Sequence, residues 1–319
     1  KEGSKINWYK QFCENYLAPL LIKSKVKINF NDIYKGDIEG INLKLASKIL
    51  PLSSWFNFSI LLNIHLQSYL NSRISSSTTK KMKSKKILST KQKILIASNL
   101  KKMILQLNSS KNSYWSNYSK INSYNDETLN KKKELVSNFV KKEKIISLMD
   151  LGCNDGFFSD LCFNSGVDNI TGVDYDLDSL NDAYLRFKDQ KKKFLAIYQN
   201  FSNPSPSIGW NSNERKSFSE RYEKKFDGVI CLAFIHHICV GNNVPLDLFI
   251  DYLSKFSDNI LLEFVKKEDL MVKNLSENKE SVLKFYNLEN FKEILTKKYK
   301  IISENEVSET RVIIHFKND

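Results

Sequence analysis

The chain has five cysteines, at positions 13, 153, 162, 231 and 239, and none forms a C-x-x-C pair. No cysteine or histidine set has the spacing of a zinc site, so no metal is expected, and the thiols read as the reduced cysteines of a cytoplasmic chain. No stretch has the pattern of a secretory signal peptide. No charge-free run is uniformly apolar, so no membrane span is expected. RNA-binding modules and concentrated basic helices are also missing. Nucleic acid is therefore not favoured as a partner, despite a formal net charge of +13. The lysines accompany abundant Asn and Ile, a bias that an AT-rich genome produces. They read as a solvated basic face, with an acidic substrate as the sharper alternative. The 319 residues suffice for one large domain or two. Position 1 is Lys rather than Met and an aromatic run begins by Trp8, which predicts further sequence upstream.

The most informative stretch is Lys144 to Asp176, KIISLMDLGCNDGFFSDLCFNSGVDNITGVDYD. An apolar run, Ile145 to Leu151, ends in a turn bounded by Gly152 and Gly156. An amphipathic segment follows, Phe157 to Asn164, and a second β-rich run, Ile170 to Val173, closes on Asp174. That is strand, glycine turn, helix, strand and acid, the order of a βαβ nucleotide-binding unit. The two glycines let backbone approach a ligand without a Cβ in the way. Asp174 stands about 20 residues past the turn, where a carboxylate can accept both hydroxyls of a ribose. The spacing G-x-x-x-G is not the dinucleotide fingerprint G-x-G-x-x-G, which disfavours a pyrophosphate cradle.

Upstream, apolar residues at helical spacing predict a helix over residues 6–25 interrupted at Pro19, and another from Ile41 to Leu50. Between Lys48 and Arg73 lie 24 uncharged residues. Ser, Asn, Gln and His break this run too often for a span, so it reads as a buried helix with His65 as a satisfied core residue. Residues 73–93 are rich in Ser, Thr and Lys and read as a mobile loop. A helix from about Thr90 to Leu107 follows, and another, capped by Asn125 or Asp126, runs to about Lys142. Downstream, Leu177 to Lys188 is a helix and Phe194 to Gln199 a strand ending at Asn200. Phe201 to Trp210, FSNPSPSIGW, is an extended loop stiffened by two X-Pro units. It resembles the N-P-P-[YF] motif of adenine amino-methyltransferases only superficially, because it follows the third strand and not the fourth. A buried strand, Phe226 to Phe234, ends in His236-His237. Either histidine can serve as a general base near neutral pH. Asn259 to Val265 is the fifth strand, with Glu263 near its carboxyl end as a second acid/base candidate. A helix and a terminal β-hairpin complete the chain.

The pattern acid, L-G-x-x-x-G at Asp150 to Gly156 resembles motif I of class I S-adenosylmethionine (SAM) methyltransferases. Further strings resemble a narrower group, bacterial SAM-dependent methyltransferases related to a rhizobial nodulation protein. They are WYKQFCENYLAPL, LKLASKILP, YNDETLNKKKELV, NPSPSIGW, LAFIHHI-x-x-x-NN-x-P and LLEFVKKED. More sequence normally precedes the first string in that group. The resemblance implies an α/β fold, a Rossmann-like class I methyltransferase sheet of seven strands with the last antiparallel. A helical N-terminal cap region, residues 1–142, precedes a SAM-binding domain, residues 143–319. It places Asp150, Gly152 and Gly156 along the methionine part of SAM and Asp174 on the ribose, with Cys153, Asn154 and Tyr175 counted in the same site. The group's third-strand acid, which pairs with the adenine amine, is here Asn200, whose amide oxygen can accept that bond. The segment before the first strand closes over the substrate in such enzymes. Trp115, Tyr118, Tyr124 and Lys132 are thereby substrate candidates, joined by Asn203 and Trp210 of the proline loop.

The resemblance implies transfer of a methyl group from SAM, leaving S-adenosylhomocysteine (SAH), to an O or N atom of a small-molecule or glycan-type acceptor. His236, His237 or Glu263 would take the proton. RNA or protein methylation is an alternative motivated by the charge, decided by whether lysines gather at the site. A non-catalytic SAM- or nucleotide-binding module is another.

Overall fold

The computed structural model describes residues 7–29, 31, 35–75, 89–107, 126–277 and 279–318. Its contacts divide into two compact units. One comprises Lys1–Ser110 with Pro206–Lys216, the other Lys111–Ser205 with Ser217–Asp319.

The first unit is helical. Its opening helix runs Asn7–Phe12, Cys13–Leu17 and Ala18–Val26, the middle segment being a π-helical turn. Pro19 lacks an N–H and crowds the carbonyl four residues back, so the helix widens just before it. The 24-residue uncharged run is not the single buried helix expected. Pro51 and Asn57 divide it into a 3₁₀ turn, Leu52–Phe56, and a helical run through Phe58–Ile60, Leu61–His65 and Leu66–Ser75. Ile60, Ile64 and His65 are buried with Leu17, Leu21 and Ala46, while Leu52, Phe56 and Phe58 face outward. His65 is the satisfied core residue predicted: its two ring nitrogens each lie 2.8 Å from a serine hydroxyl, Ser47 and Ser54, and its ring stacks on Trp55. Most of the Ser/Lys-rich stretch, residues 76–88, lies outside the described residues. Beyond it Ser89 forms a capping box with Gln92 and starts the helix Thr90–Leu105.

The second unit is a seven-stranded sheet: β1 (Ser147–Leu151), β2 (Asn169–Asp174), β3 (Lys193–Tyr198), β4 (Gly228–Cys231), β5 (Asn259–Val265), β6 (Tyr299–Ser308) and β7 (Arg311–Asn318). Their order is β3-β2-β1-β4-β5-β7-β6. The first five are parallel, whereas β7 runs antiparallel between β5 and β6. This is the Rossmann-like sheet of class I methyltransferases. The central strands are apolar on both faces because helices cover both. On one side Phe249, Ile250, Phe291 and Leu295 pack against Met149, Val229 and Leu262. On the other, Val136, Phe139 and Val140 of the helix Asp126–Lys142 pack with Leu148, Ile170 and Ile230. That packing groups Asp126–Lys142 with the sheet rather than with the N-terminal helices that precede it in sequence. The strand order reverses at β1, where neighbours lie on opposite sides, and ligands of open α/β sheets bind at the carboxyl ends beside such a switch. At the opposite ends, Asp227 clamps β1 by accepting from the backbone N–H groups of Ile146 and Ser147.

Candidate functional site

At the carboxyl ends of β1 to β4 lies a cavity of about 470 Å³. Its wall includes Gly152, Asn154, Asp174, Tyr175, Asn200 and His237. Five of the eight residues expected to hold the cofactor therefore meet there, with one of the three expected proton acceptors.

The turn after β1 is shaped by left-handed backbone at Gly152 (φ 74°) and Gly156 (φ 78°). A Cβ on Gly152 would lie 2.6 Å from the Phe234 ring, and one on Gly156 would lie 2.7 Å from the Phe187 ring. Glycine is thus required twice over, by conformation and by space. Asn154 adopts the same region (φ 48°), which asparagine tolerates better than most residues. The turn is tied to the second strand. The Gly152 amide donates to the Val173 carbonyl (2.9 Å), and the Asn154 amide donates to Asp174 Oδ2 (2.7 Å). Asp174 Oδ1 accepts from the Asp176 amide, also at 2.7 Å. Each oxygen keeps a lone pair for a further donor. Burial raises the Asp174 pKa, opposed by those amide bonds. Tyr175 stacks on Tyr198 with ring centroids 5.4 Å apart, presenting an aromatic wall.

Asp150, Cys153 and Gly156 form the floor of the turn rather than the cavity lining. Asp150 is buried and accepts one short hydrogen bond, 2.6 Å, from the Ser159 hydroxyl. Desolvation raises its pKa to about 7; the Ser159 bond works against this, and Asp174 and Asp155 add to it. The turn therefore gathers three carboxyl groups, Asp150, Asp155 and Asp174, an environment that disfavours an anionic ligand and in which Asp150 keeps its proton below about pH 7.

Asn200 lines the cavity, but not with the expected acceptor. Its amide oxygen already receives the Ser202 amide (3.0 Å), the Ser202 hydroxyl (2.7 Å) and the Asn203 amide (3.2 Å). The Asn200 side-chain N–H₂ is the group it can offer a ligand. Asn203 itself is exposed, and Trp210 is 84 % exposed on a turn of the first unit. Trp115, Tyr118 and Tyr124 lie outside the described residues.

The two histidines follow β4 at the start of a π-helical turn, His237–Gly241, whose rings lie 4.1 Å apart. His237 lines the cavity. Burial, with a contribution from the Arg311 charge, lowers its pKa to about 4, so the ring is neutral at physiological pH. His236 is more deeply buried and lowered further, by desolvation and then by His237, Arg311 and Lys132. Neither of its ring nitrogens has a hydrogen-bond partner among the described residues. Glu263 and Lys132 do not line the cavity. They pair with one another at 2.7 Å, both buried, and Glu263 also meets Arg311, which is held by Asp269. The expected base at Glu263 is thus a charge fixed between two cations, and the expected substrate lysine is its partner.

Other lining residues gave no sequence signal. Gln199 is held by the Asn200 carbonyl and the Ser205 hydroxyl. Ala233 lines the wall in left-handed backbone (φ 48°), a conformation that alanine adopts only when its surroundings impose it. A further cavity of about 620 Å³ shares the π-helical turn through Cys239 and is lined by Val244, Val282, Phe285 and Lys297.

No protein-family model matches the chain. It is similar to nodulation protein NoeA of Rhizobium meliloti (strain 1021), with 32 % identity over 309 residues. The alignment covers 93 % of this chain and 63 % of that protein. The chain thus spans less than two thirds of its relative's length. Among solved structures, it is similar to the PH0226 protein of Pyrococcus horikoshii OT3. Identity there is 14 % and the TM-score 0.46, covering 66 % of this chain and 100 % of the other. It is also similar to the N-methyltransferase NodS of Bradyrhizobium japonicum WM9. That match has 12 % identity and a TM-score of 0.43, covering 61 % and 98 %. The chain is therefore similar to NoeA over almost its whole sequence, and the strand order of its second unit, β3-β2-β1-β4-β5-β7-β6, is the seven-stranded Rossmann-like order that the motif resemblance implies.

Proposed function

We propose that the chain is a SAM-dependent methyltransferase acting on an O or N atom of a small-molecule or glycan-type acceptor. The observation that carries this reading is the joining of the glycine turn to Asp174 in one cavity floored by buried acid. A ribose needs a carboxylate acceptor, which Asp174 offers. A cationic sulfonium and ammonium need negative surroundings, which Asp155 and Asp174 supply and which a pyrophosphate would oppose. Tyr175 gives an adenine ring a face to lie on, and the Asn200 amide is placed to donate to a ring nitrogen.

Bound there, SAM supplies an electrophilic methyl group. The chain contributes alignment and exclusion of water, which together give most of the rate in such a displacement. His237, neutral at pH 7, would accept the acceptor's proton through a ring nitrogen as the acceptor's O or N takes the methyl carbon and the bond from that carbon to sulfur breaks, leaving SAH. His236 supports it from behind. Lys132 and Glu263 hold the neighbouring strand ends and take no proton. We assign acceptor selection to the N-terminal helical region, and the five buried free thiols support a reducing, cytoplasmic setting.

RNA or protein methylation is the weaker reading. Lys and Arg number 30 and Asp and Glu 31 in residues 111–319, so the stretch that carries the cavity has no basic excess to hold a polyanion. Calorimetric titration with SAM and SAH tests the cofactor assignment. Micromolar binding is expected, lost in Asp174→Ala. A folded chain that binds neither, or binds both equally well without Asp174, would overturn it.

A further inference from the structure

The first unit has an exposed face that the methyl-transfer reading does not use. Over residues 52–70 the chain turns Phe56 (92 % exposed), Leu52 (82 %) and Phe58 (76 %) outward. Leu62, Leu66 and Tyr69 continue from Phe58 at helical spacing, while Ile60 and Ile64 occupy the buried side of the same helix. Hydrophobic residues exposed singly are ordinary, but an uncharged stripe of this length on one helix face is an interaction surface.

Charge indicates what the stripe meets. In residues 1–110 Lys and Arg outnumber Asp and Glu by 19 to 5, so the protein's net positive charge resides in this part of the chain. The stripe contains none of it: positions 49–72 are uncharged. Lys44 and Lys48 are exposed on the helix Leu43–Ile49, which packs against the stripe helix. An apolar face with aromatic residues, in a part of the chain this rich in lysine, is the composition that seats a helix at the surface of an anionic bilayer. There rings and aliphatic chains enter the interface while ammonium groups meet lipid phosphates. A second copy is a poor occupant, since it would bring two strongly basic units together. Nucleic acid is also a poor one, because Leu52, Leu62 and Leu66 offer bases nothing to stack on.

We propose that this face docks the protein peripherally on an anionic membrane surface, through Leu52, Phe56, Phe58, Leu62 and Leu66, with Lys44 and Lys48 exposed on the helix that packs against the stripe helix. The inference is independent of the methyltransferase assignment. Its test is co-sedimentation of the purified chain with vesicles of phosphatidylcholine alone and of equimolar phosphatidylcholine and phosphatidylglycerol. Binding to the mixed vesicles only is expected, weakened at high salt. Phe56→Ser and Phe58→Ser should each weaken it by roughly tenfold, the change expected from losing one inserted aromatic ring. Leu248→Ser, which removes an exposed apolar residue of the second unit, should leave it unchanged. Circular dichroism and gel filtration of the variants control for folding and assembly. Failure to sediment, equal binding by both phenylalanine variants and the parent, or conversion of a dimer to monomer by those substitutions would each overturn the proposal.

Discussion

The buried carboxyl of Asp150 provides a sharp test, because its protonation should be written into the stability of the whole second unit. Its pKa is raised to about 7 from an ordinary value of 3.8, first by burial and then by Asp174 and Asp155, with only the Ser159 hydroxyl opposing. Between those values the folded protein holds a proton that the unfolded chain has released. Stability from this group is therefore fully present below pH 3.8 and is lost as pH rises to about 7. Two pH units in that window, from 5 to 7, correspond to about 3 kcal/mol at about 1.4 kcal/mol per unit. Asp150→Asn removes the titration and keeps an oxygen to receive the Ser159 hydroxyl. Any fixed penalty of the new amide, about 1–3 kcal/mol if its N–H₂ finds no acceptor, is the same at every pH.

The comparison must be made between variant and parent, because the histidines slope the other way. His237, lowered from 6.5 to about 4, stabilises as its neutral form above pH 6.5 and loses that contribution as pH falls towards 4. In the parent the opposing slopes partly cancel; Asp150→Asn removes only the Asp150 slope, and those of the histidines and of Asp174, common to both proteins, drop out of the comparison. Urea unfolding at pH 5 and pH 8 should show the variant gaining about 3 kcal/mol on the parent between the two. A difference that stays within about 0.5 kcal/mol would refute the claim that Asp150 is protonated in the folded state.

Gly152→Ala forces a Cβ into the Phe234 ring at 2.6 Å and strains a φ of 74°. Calorimetry should show SAH binding weakened more than tenfold, with the far-ultraviolet spectrum retained. His237→Gln should lower kcat by about 10²–10⁴ while leaving SAH affinity within threefold, and the parent's activity should stay flat from pH 8 down to about pH 5. Ala233→Gly relieves left-handed strain at the cavity wall and should raise the unfolding free energy by about 1 kcal/mol in urea titrations. Lys132→Met uncovers Glu263 to Arg311 alone. It should destabilise the fold by about 3–5 kcal/mol, read by denaturation, and leave SAH affinity unchanged if the ion pair is structural.

The parts of the fold that sequence pattern revealed are those whose signal is local. The run Ile145 to Leu151, the turn Gly152 to Gly156 and the acid at Asp174 fall within one stretch of 30 residues. Their spacing alone predicts that turn and carboxylate converge, as the 2.7 Å bond from Asn154 to Asp174 shows. The helix Asp126–Lys142 and the closing hairpin were legible for the same reason. What could not be read depends on partners far apart in sequence. Lys132 and Glu263 are separated by 131 positions, and nothing near either one says that the other will neutralise it. Asn200 follows the strand where an acceptor is wanted, yet Ser202 and Asn203 use its oxygen, a competition decided by a turn of three residues. The left-handed Ala233 and the π-helical turn after it carry no composition signal, since alanine, isoleucine and histidine all favour ordinary helix or strand there.

Charge was legible too, but only once it was divided by position. A net +13 spread over 319 residues suggests a weakly basic surface and little else. Split after residue 110, it becomes a strongly basic helical region and a remainder of 30 basic and 31 acidic residues. The two halves then call for different partners. A cavity among buried acids needs a cation and repels polyanions. A lysine-rich unit with an uncharged aromatic stripe needs an anionic surface with an apolar interior, and repels the cation. A single surface could not serve both without each ligand weakening the other through unlike local fields. The two proposals thus rest on different residues, the acids of the turn after β1 and the apolar stripe of the lysine-rich helical region, and each can fail without the other.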